Sequence, residues 1–244
     1  MYEVKRAVIV AAGIGKRMQP LTLETPKSLI KVNGVRMIDT VIKALHANKI
    51  YEIYVVVGYL KEKFSCLEEK YPGVTLIENP YYDKCNNISS LYVAREFIED
   101  AIITDADLVV YNEKILSKTF ERSGYNCVWT GRETEEWLLT AENGIVTQCS
   151  RTGGKDGWQL YSISRWTAED GMRLKKHLET EFEKKKNTQI YWDDIALFCY
   201  PEEYQLGIYE MEEGDVVEVD NIEELAMIDK YYKKFLGGKR RGKV

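Results

Sequence analysis

Histidine is nearly missing: His46 and His177 are the only two in 244 residues. That excludes a multi-histidine zinc or iron site, so any metal must be held by carboxylates, which favours Mg²⁺ or Mn²⁺. Cysteine is sparse as well. Cys66, Cys85, Cys127, Cys149 and Cys199 are odd in number and far apart, with no C-x-x-C, and read as reduced packing thiols. No apolar run approaches the length that spans a bilayer. The first apolar stretch is too short, and too soon followed by Gly13, Lys16 and Arg17, to be a signal peptide. A basic excess is also lacking, since 39 acidic residues against 34 basic ones leave a net charge of −5, with no field to hold nucleic acid. The expectation is a cytoplasmic monomer or homodimer with no nucleic-acid partner and no membrane insertion.

What is present is ample core material, at 45% hydrophobic residues, arranged with a clear period. Residues 7–12, 52–58, 73–80 and 101–107 read as buried strands, the third stopped by Asn79-Pro80. Residues 36–48, 61–70 and 88–98 read as helices; in the first, Met37, Val41, Ile42 and Leu45 share one face. Such alternation predicts an α/β, Rossmann-like fold with a mainly parallel central sheet and helices on both faces. Sheets of this kind bind ligands beyond the carboxyl ends of their strands. The loop after residue 12, Asn79 and the pair Asp105 and Asp107 all fall there.

After Asn112 the pattern changes to alternating strands, "YNCVWT", "EEWLLTAENGIVTQCS" and "WQLYSISRW", with Asn143-Gly144 as a hairpin turn. A small antiparallel subregion over about residues 125–165 is expected to wall the site. A charged helix over 168–186, a strand over 215–220 and a last helix over 222–235 follow. One domain over 1–236 is expected, with residues 237–244, "GGKRRGKV", as a basic, disordered tail.

The loop "AAGIGKRMQPLTLETPKSLIKVNG" crowds glycine amides and the cations Lys16, Arg17 and Lys27 at the mouth of the first strand. Amides and cations together suit a phosphate anion. It is not a dinucleotide fingerprint, because Met18 stands where the third glycine belongs, nor a P-loop, because Arg17 follows Lys16 in place of Ser or Thr.

This stretch resembles the signature of the nucleotidyltransferase superfamily that activates sugar phosphates and phosphoalcohols with nucleoside triphosphates, A-A-G-x-G-x-R-[ML]-x-P-L-T followed by P-K-[SP]-[LM]. "TDADLVV" is similar to its second motif and "EVDN" to its later metal-binding strand. The resemblance implies nucleotide binding by Ala11, Ala12, Gly13, Ile14, Gly15, Lys16 and Arg17, with Asn79, Asn86, Ser90 and Asp105 on the same edge. It implies catalysis by Lys27, Arg17 and Asp107, and Mg²⁺ on Asp107 and Asp220. Taken alone, Asp220 reads better as a helix N-cap and Asp107 as a turn residue; together with the first motif, both read as metal ligands.

"GYL" with Lys61-Glu62, "NNISSL" and "YWDDI" are similar to the bacterial CTP:phosphocholine cytidylyltransferases within that superfamily. This implies CTP as donor and phosphocholine as acceptor. A quaternary ammonium has no N–H to donate and is recognised by aromatic faces and carboxylates. Trp137, Tyr191 and Trp192 can supply faces; Asp193, Asp194 and Glu218 can supply charge. Two further readings stay open: the same transfer to 2-aminoethylphosphonate, an inositol phosphate or a sugar 1-phosphate, and a nucleotide-binding module without catalysis.

Overall fold

A computed structural model describes residues 1–236; the expected basic tail over 237–244 lies outside the described residues. The first strand, β1 (Arg6–Val10), is apolar at every inner position because both its faces are covered. Ala7 and Ile9 join one core with Ile38, Val41, Ile42 and Leu45 of α1 (Met37–Ala47). Val8 joins a second core on the opposite face. Then follow β2 (Glu52–Val57), α2 (Ser65–Lys70), β3 (Val74–Glu78), α3 (Ile88–Val93) and β4 (Ala101–Asp105). β1 lies between β2 and β4, and β2 pairs β3, all in parallel. That is the parallel half which the alternation predicts.

The expected strand over 101–107 stops at Asp105. The amide of Ala106 donates to the carbonyl of Val10 at 3.2 Å, and the chain then turns out of the sheet into β5 (Leu108–Val110). The antiparallel half comprises β6 (Gly124–Thr130), β7 (Leu138–Glu142), β8 (Ile145–Ser150) and β9 (Gly157–Trp166). Asn143 at φ 52° and Gly144 at φ 74° make the expected turn between β7 and β8.

This half walls the cleft as expected and is continuous with the parallel half. β9 is long enough to pair β6 along one edge, and β7 and then β4 along the other, so both halves form one mixed sheet. After α4 (Ala168–Glu179), whose cap is the Thr167 hydroxyl accepting from the Asp170 amide, β10 (Gly207–Glu210) returns to pair β6 in parallel. β11 (Val216–Glu218) leaves the main sheet to pair β5 antiparallel.

The single helix expected over 222–235 is two pieces. α5 (Ile222–Ile228) ends where the Asp229 carboxylate accepts the amide of Tyr231 and, across the fold, that of Asn33. A side chain that caps a new turn interrupts the old one.

Candidate active site

The loop between β1 and residue 34 opens a cleft of about 760 Å³ at the carboxyl ends of β1, β3 and β4. A cavity of that size takes a nucleoside triphosphate and a small second substrate. Gly15 shapes the loop in two ways. Its φ is +66°, and a Cβ there would lie 3.0 Å from Thr22 Cγ2 and 3.1 Å from Lys27 Cβ, so a side chain is excluded by conformation and by space. The Thr22 hydroxyl donates to the Gly15 carbonyl at 2.9 Å and locks the turn. Among the described residues, the amides of Gly13, Ile14 and Gly15 donate to no protein acceptor, which leaves donors for an anion beside Lys16 and Arg17.

The structure brings Ala11, Ala12, Gly13, Ile14, Gly15, Lys16, Arg17, Lys27, Asn79, Asn86, Ser90, Asp105 and Asp107 to this one cleft. Two of them act through their neighbours. Asn79 is buried, and its amide donates to the hydroxyls of Ser89 and Ser90, both at 3.0 Å, which pins the start of α3 to the cleft floor. Asn86 donates from its side chain to the carbonyl of Gln189 and ties in the segment that carries Tyr191.

At the far end the two-stranded ribbon of β5 and β11 sets three carboxylates together. The oxygens of Asp107, Glu218 and Asp220 come within 4.8 Å of one another. Lys27 Nζ sits between two of them, 2.5 Å from Asp107 Oδ2 and 2.7 Å from Asp220 Oδ1, and Arg17 reaches the same Asp220 oxygen at 2.8 Å. Burial pulls the Lys27 ammonium down, but Asp107 and Asp220 offset that and hold it above its ordinary value. Glu218 is pushed well up by burial, then by the charges of Asp107 and Asp220. Asp105 is raised by burial and by Asp107 and Asp193. Clustered acids disfavour one another's ionisation, and a nearby cation favours it. Asp107 Oδ1 is buried with no partner. An orphaned carboxylate oxygen in an all-oxygen donor set fits Mg²⁺ or Mn²⁺.

"YWDD" divides in two. Tyr191 and Asp193 line the cleft; Trp192 and Asp194 do not. Trp192 is 1% exposed and packs on Tyr125 and Trp166, so it is core and no part of a cage. Asp194 is spent within the protein, where one oxygen accepts from Arg151 Nε and Nη2 and the other from the Tyr191 amide. Both assignments to the acceptor are corrected here. What remains is a corner of two rings, Trp137 and Tyr191, edge to face at 5.6 Å. Asp193 lines the same cleft, and its Oδ1 is buried without a hydrogen-bond partner, near the Tyr125 hydroxyl. Burial pushes Asp193 up to about 7.

Glu136 and Arg151 also line this end. Glu136 is raised by burial, then by Asp220 and Glu224. The Arg151 guanidinium stacks 3.8 Å from the centre of Phe198 and 5.7 Å from that of Trp137. Glu136 was open to notice as the neighbour of Trp137; nothing local marks Arg151. The histidines are elsewhere: His177 stacks on Tyr200, and His46 packs on Tyr51.

Comparison with known proteins agrees with this geometry. Residues 7–170 match a family described as the MobA-like NTP transferase domain. The chain is 39% identical to a 2-aminoethylphosphonate cytidylyltransferase of Lancefieldella rimae, over 94% of each chain. It is 30% identical to a choline-phosphate cytidylyltransferase of Streptococcus pneumoniae, over 93% of this chain and 98% of that one. The solved structure of a CTP:phosphocholine cytidylyltransferase from Streptococcus pneumoniae superposes with a TM-score of 0.87 at 31% identity, covering 95% of this chain and 100% of that one.

Proposed function

The chain belongs to the MobA-like NTP transferase family, as a cytidylyltransferase, and we propose that it moves CMP from CTP to a small phosphonate or phosphate acceptor with an ammonium head. We place 2-aminoethylphosphonate first. The observation that carries this is Asp193, a nearly buried carboxylate with an unpartnered oxygen, which lines the same cleft as the Trp137–Tyr191 corner. A primary ammonium has three N–H donors for such an oxygen. A quaternary head has none and depends on surrounding ring faces, one of which is lost with Trp192 in the core.

The chemistry is charge management. The β1 loop, with its free amides, takes the triphosphate, and Arg17 and Lys27 neutralise charge as it moves toward the departing pyrophosphate. The acceptor oxygen is already anionic, so it attacks the α-phosphorus without a general base, as suits a cleft with no histidine. Alignment of the two anions is then the main contribution of the protein. Asp107, Glu218 and Asp220 would hold Mg²⁺, which when bound polarises and neutralises the reacting phosphates.

Phosphocholine is the second reading, favoured by the edge-to-face corner of Trp137 and Tyr191. Neutral polyol phosphates gain nothing from the acidic end. The test is pyrophosphate release from CTP and Mg²⁺ with each acceptor in turn. We expect kcat/KM for 2-aminoethylphosphonate to exceed that for phosphocholine by at least about tenfold, the size of one lost charged contact. A reversed ratio selects phosphocholine; release only with a sugar or inositol phosphate overturns the ammonium reading.

A further inference from the structure

Lys27 has two partners it cannot serve at once. Its Nζ touches Asp107 Oδ2 and Asp220 Oδ1, at 2.5 and 2.7 Å, while the triphosphate proposed for the cleft it lines needs a cation on phosphate. The two carboxylates that hold Lys27 belong to the trio gathered within 4.8 Å. A divalent ion there needs oxygens of the same carboxylates at about 2.0–2.1 Å, which brings it against the ammonium held between them. Without any cation, three clustered carboxylates repel one another in a partly buried place.

The backbone and side chain of Lys27 differ in freedom. Pro26 precedes it, and Ser28 and Leu29, the next residues of its short turn, are buried, so the backbone is fixed. The side chain is a flexible four-carbon stem with a compact charge. Arg17, the other cation on Asp220, is 70% exposed and holds nothing in place by packing.

We propose that Lys27 is an internal stand-in for the divalent cation. It holds the acidic trio together while the cleft is empty, and it gives up Asp107 and Asp220 to the metal as its ammonium moves onto the phosphates. The proposal rests on the reading of the trio as a metal site. It has one direct consequence: the nucleotide-free protein binds metal poorly, because lysine competes, and metal and nucleotide enter together.

The test is Mn²⁺ binding without nucleotide, read by the paramagnetic resonance of free Mn²⁺, in wild type, Lys27→Met, Arg17→Gln and Lys27→Met combined with Asp220→Asn. We expect Lys27→Met to bind Mn²⁺ at least about tenfold more tightly than wild type, a free-energy difference of roughly 1.4 kcal/mol. Arg17→Gln should gain less than about threefold, by the same conversion, and the double variant should lose the gain. A second readout needs no variant: reductive methylation of Lys27 in wild type, followed by mass spectrometry, should speed up when Mn²⁺ is added at concentrations that load the site. Equal Mn²⁺ affinity in wild type and Lys27→Met, or methylation of Lys27 unchanged by bound Mn²⁺, overturns the exchange and leaves the metal reading standing. No Mn²⁺ on either protein, with activity intact in chelator, overturns both.

Discussion

The amide of Val219 donates to the carbonyl of Asp107 at 3.1 Å, and this bond joins two segments that are distant in the chain. It continues the β5–β11 ribbon by one step beyond the Glu218–Leu108 pair. Asp220, the next residue, is thereby carried to the side of Asp107. The acidic trio is a product of this ribbon, which lies outside the main sheet.

Removing the trio's charge should therefore stop the reaction without unfolding the protein. Asp107→Asn and Asp220→Asn are expected to lower kcat by at least about a hundredfold, in the range for lost transition-state electrostatics. Excess EDTA should abolish pyrophosphate release in wild type, and Mn²⁺ should restore it. Full activity in EDTA would be fatal to the metal reading.

The cations of the loop should matter as much. Lys27→Ala and Arg17→Ala are each expected to reduce kcat/KM for CTP by about a hundredfold. If both change it by less than about threefold, the loop is a structural element and the phosphate assignment is wrong.

Asp193 gives a pH signature. Burial, with repulsion from Asp194 and partial relief from the Tyr125 hydroxyl, pushes it up to about 7. An ammonium acceptor binds the ionised form, so acceptor KM should rise as pH falls below that value, by up to about tenfold per unit. The acceptor's own phosphoryl group titrates near 6, so the comparison is with Asp193→Asn, which should have a higher KM and a shallower slope. For stability the sign is opposite. A raised carboxyl contributes stability that is full below its ordinary value near 4 and lost as pH rises through about 7. Asp193→Asn should therefore lose less Tm between pH 5 and pH 8 than wild type. Parallel profiles in both assays would remove Asp193 from the acceptor site.

Two tryptophans should behave in opposite ways. Trp192→Ala is expected to destabilise the fold by ~3–5 kcal/mol, as for other buried aromatic truncations, while the preference between acceptors stays as it was. Trp137→Leu should leave Tm nearly unchanged and weaken phosphocholine by ~1–2 kcal/mol, the value of a desolvated cation–π contact. Denaturant melts and paired KM measurements separate the two. A shifted acceptor ratio in the Trp192 variant would place its ring back in the cleft's function.

The loop that opens the cleft was legible because its information is local: glycines, cations and prolines occupy one continuous stretch, and its conformation follows from neighbours such as Thr22 and Gly15. The parallel half was legible from alternation for the same reason. The acceptor end was harder, because consecutive side chains of "YWDD" project alternately, Tyr191 and Asp193 to the cleft and Trp192 and Asp194 away from it. Composition alone does not tell which pair faces inward. Arg151 enters the cleft only because the end of β8 is folded over Asp194, a contact with no local trace. Nor did the period reveal that β9 fuses both halves, since one strand with two successive partners reads like any other.

The β7–β8 hairpin pairs β9 at Leu138 with Gln159 and Leu139 with Trp158, and on its other edge pairs β10 at Ile145 with Gly207. Trp137 stands at its root. The hairpin that carries Trp137 into the cleft is thus held on both edges, but by few backbone pairs on each. Its amides should exchange with deuterium well before those of β1, which is paired on both sides.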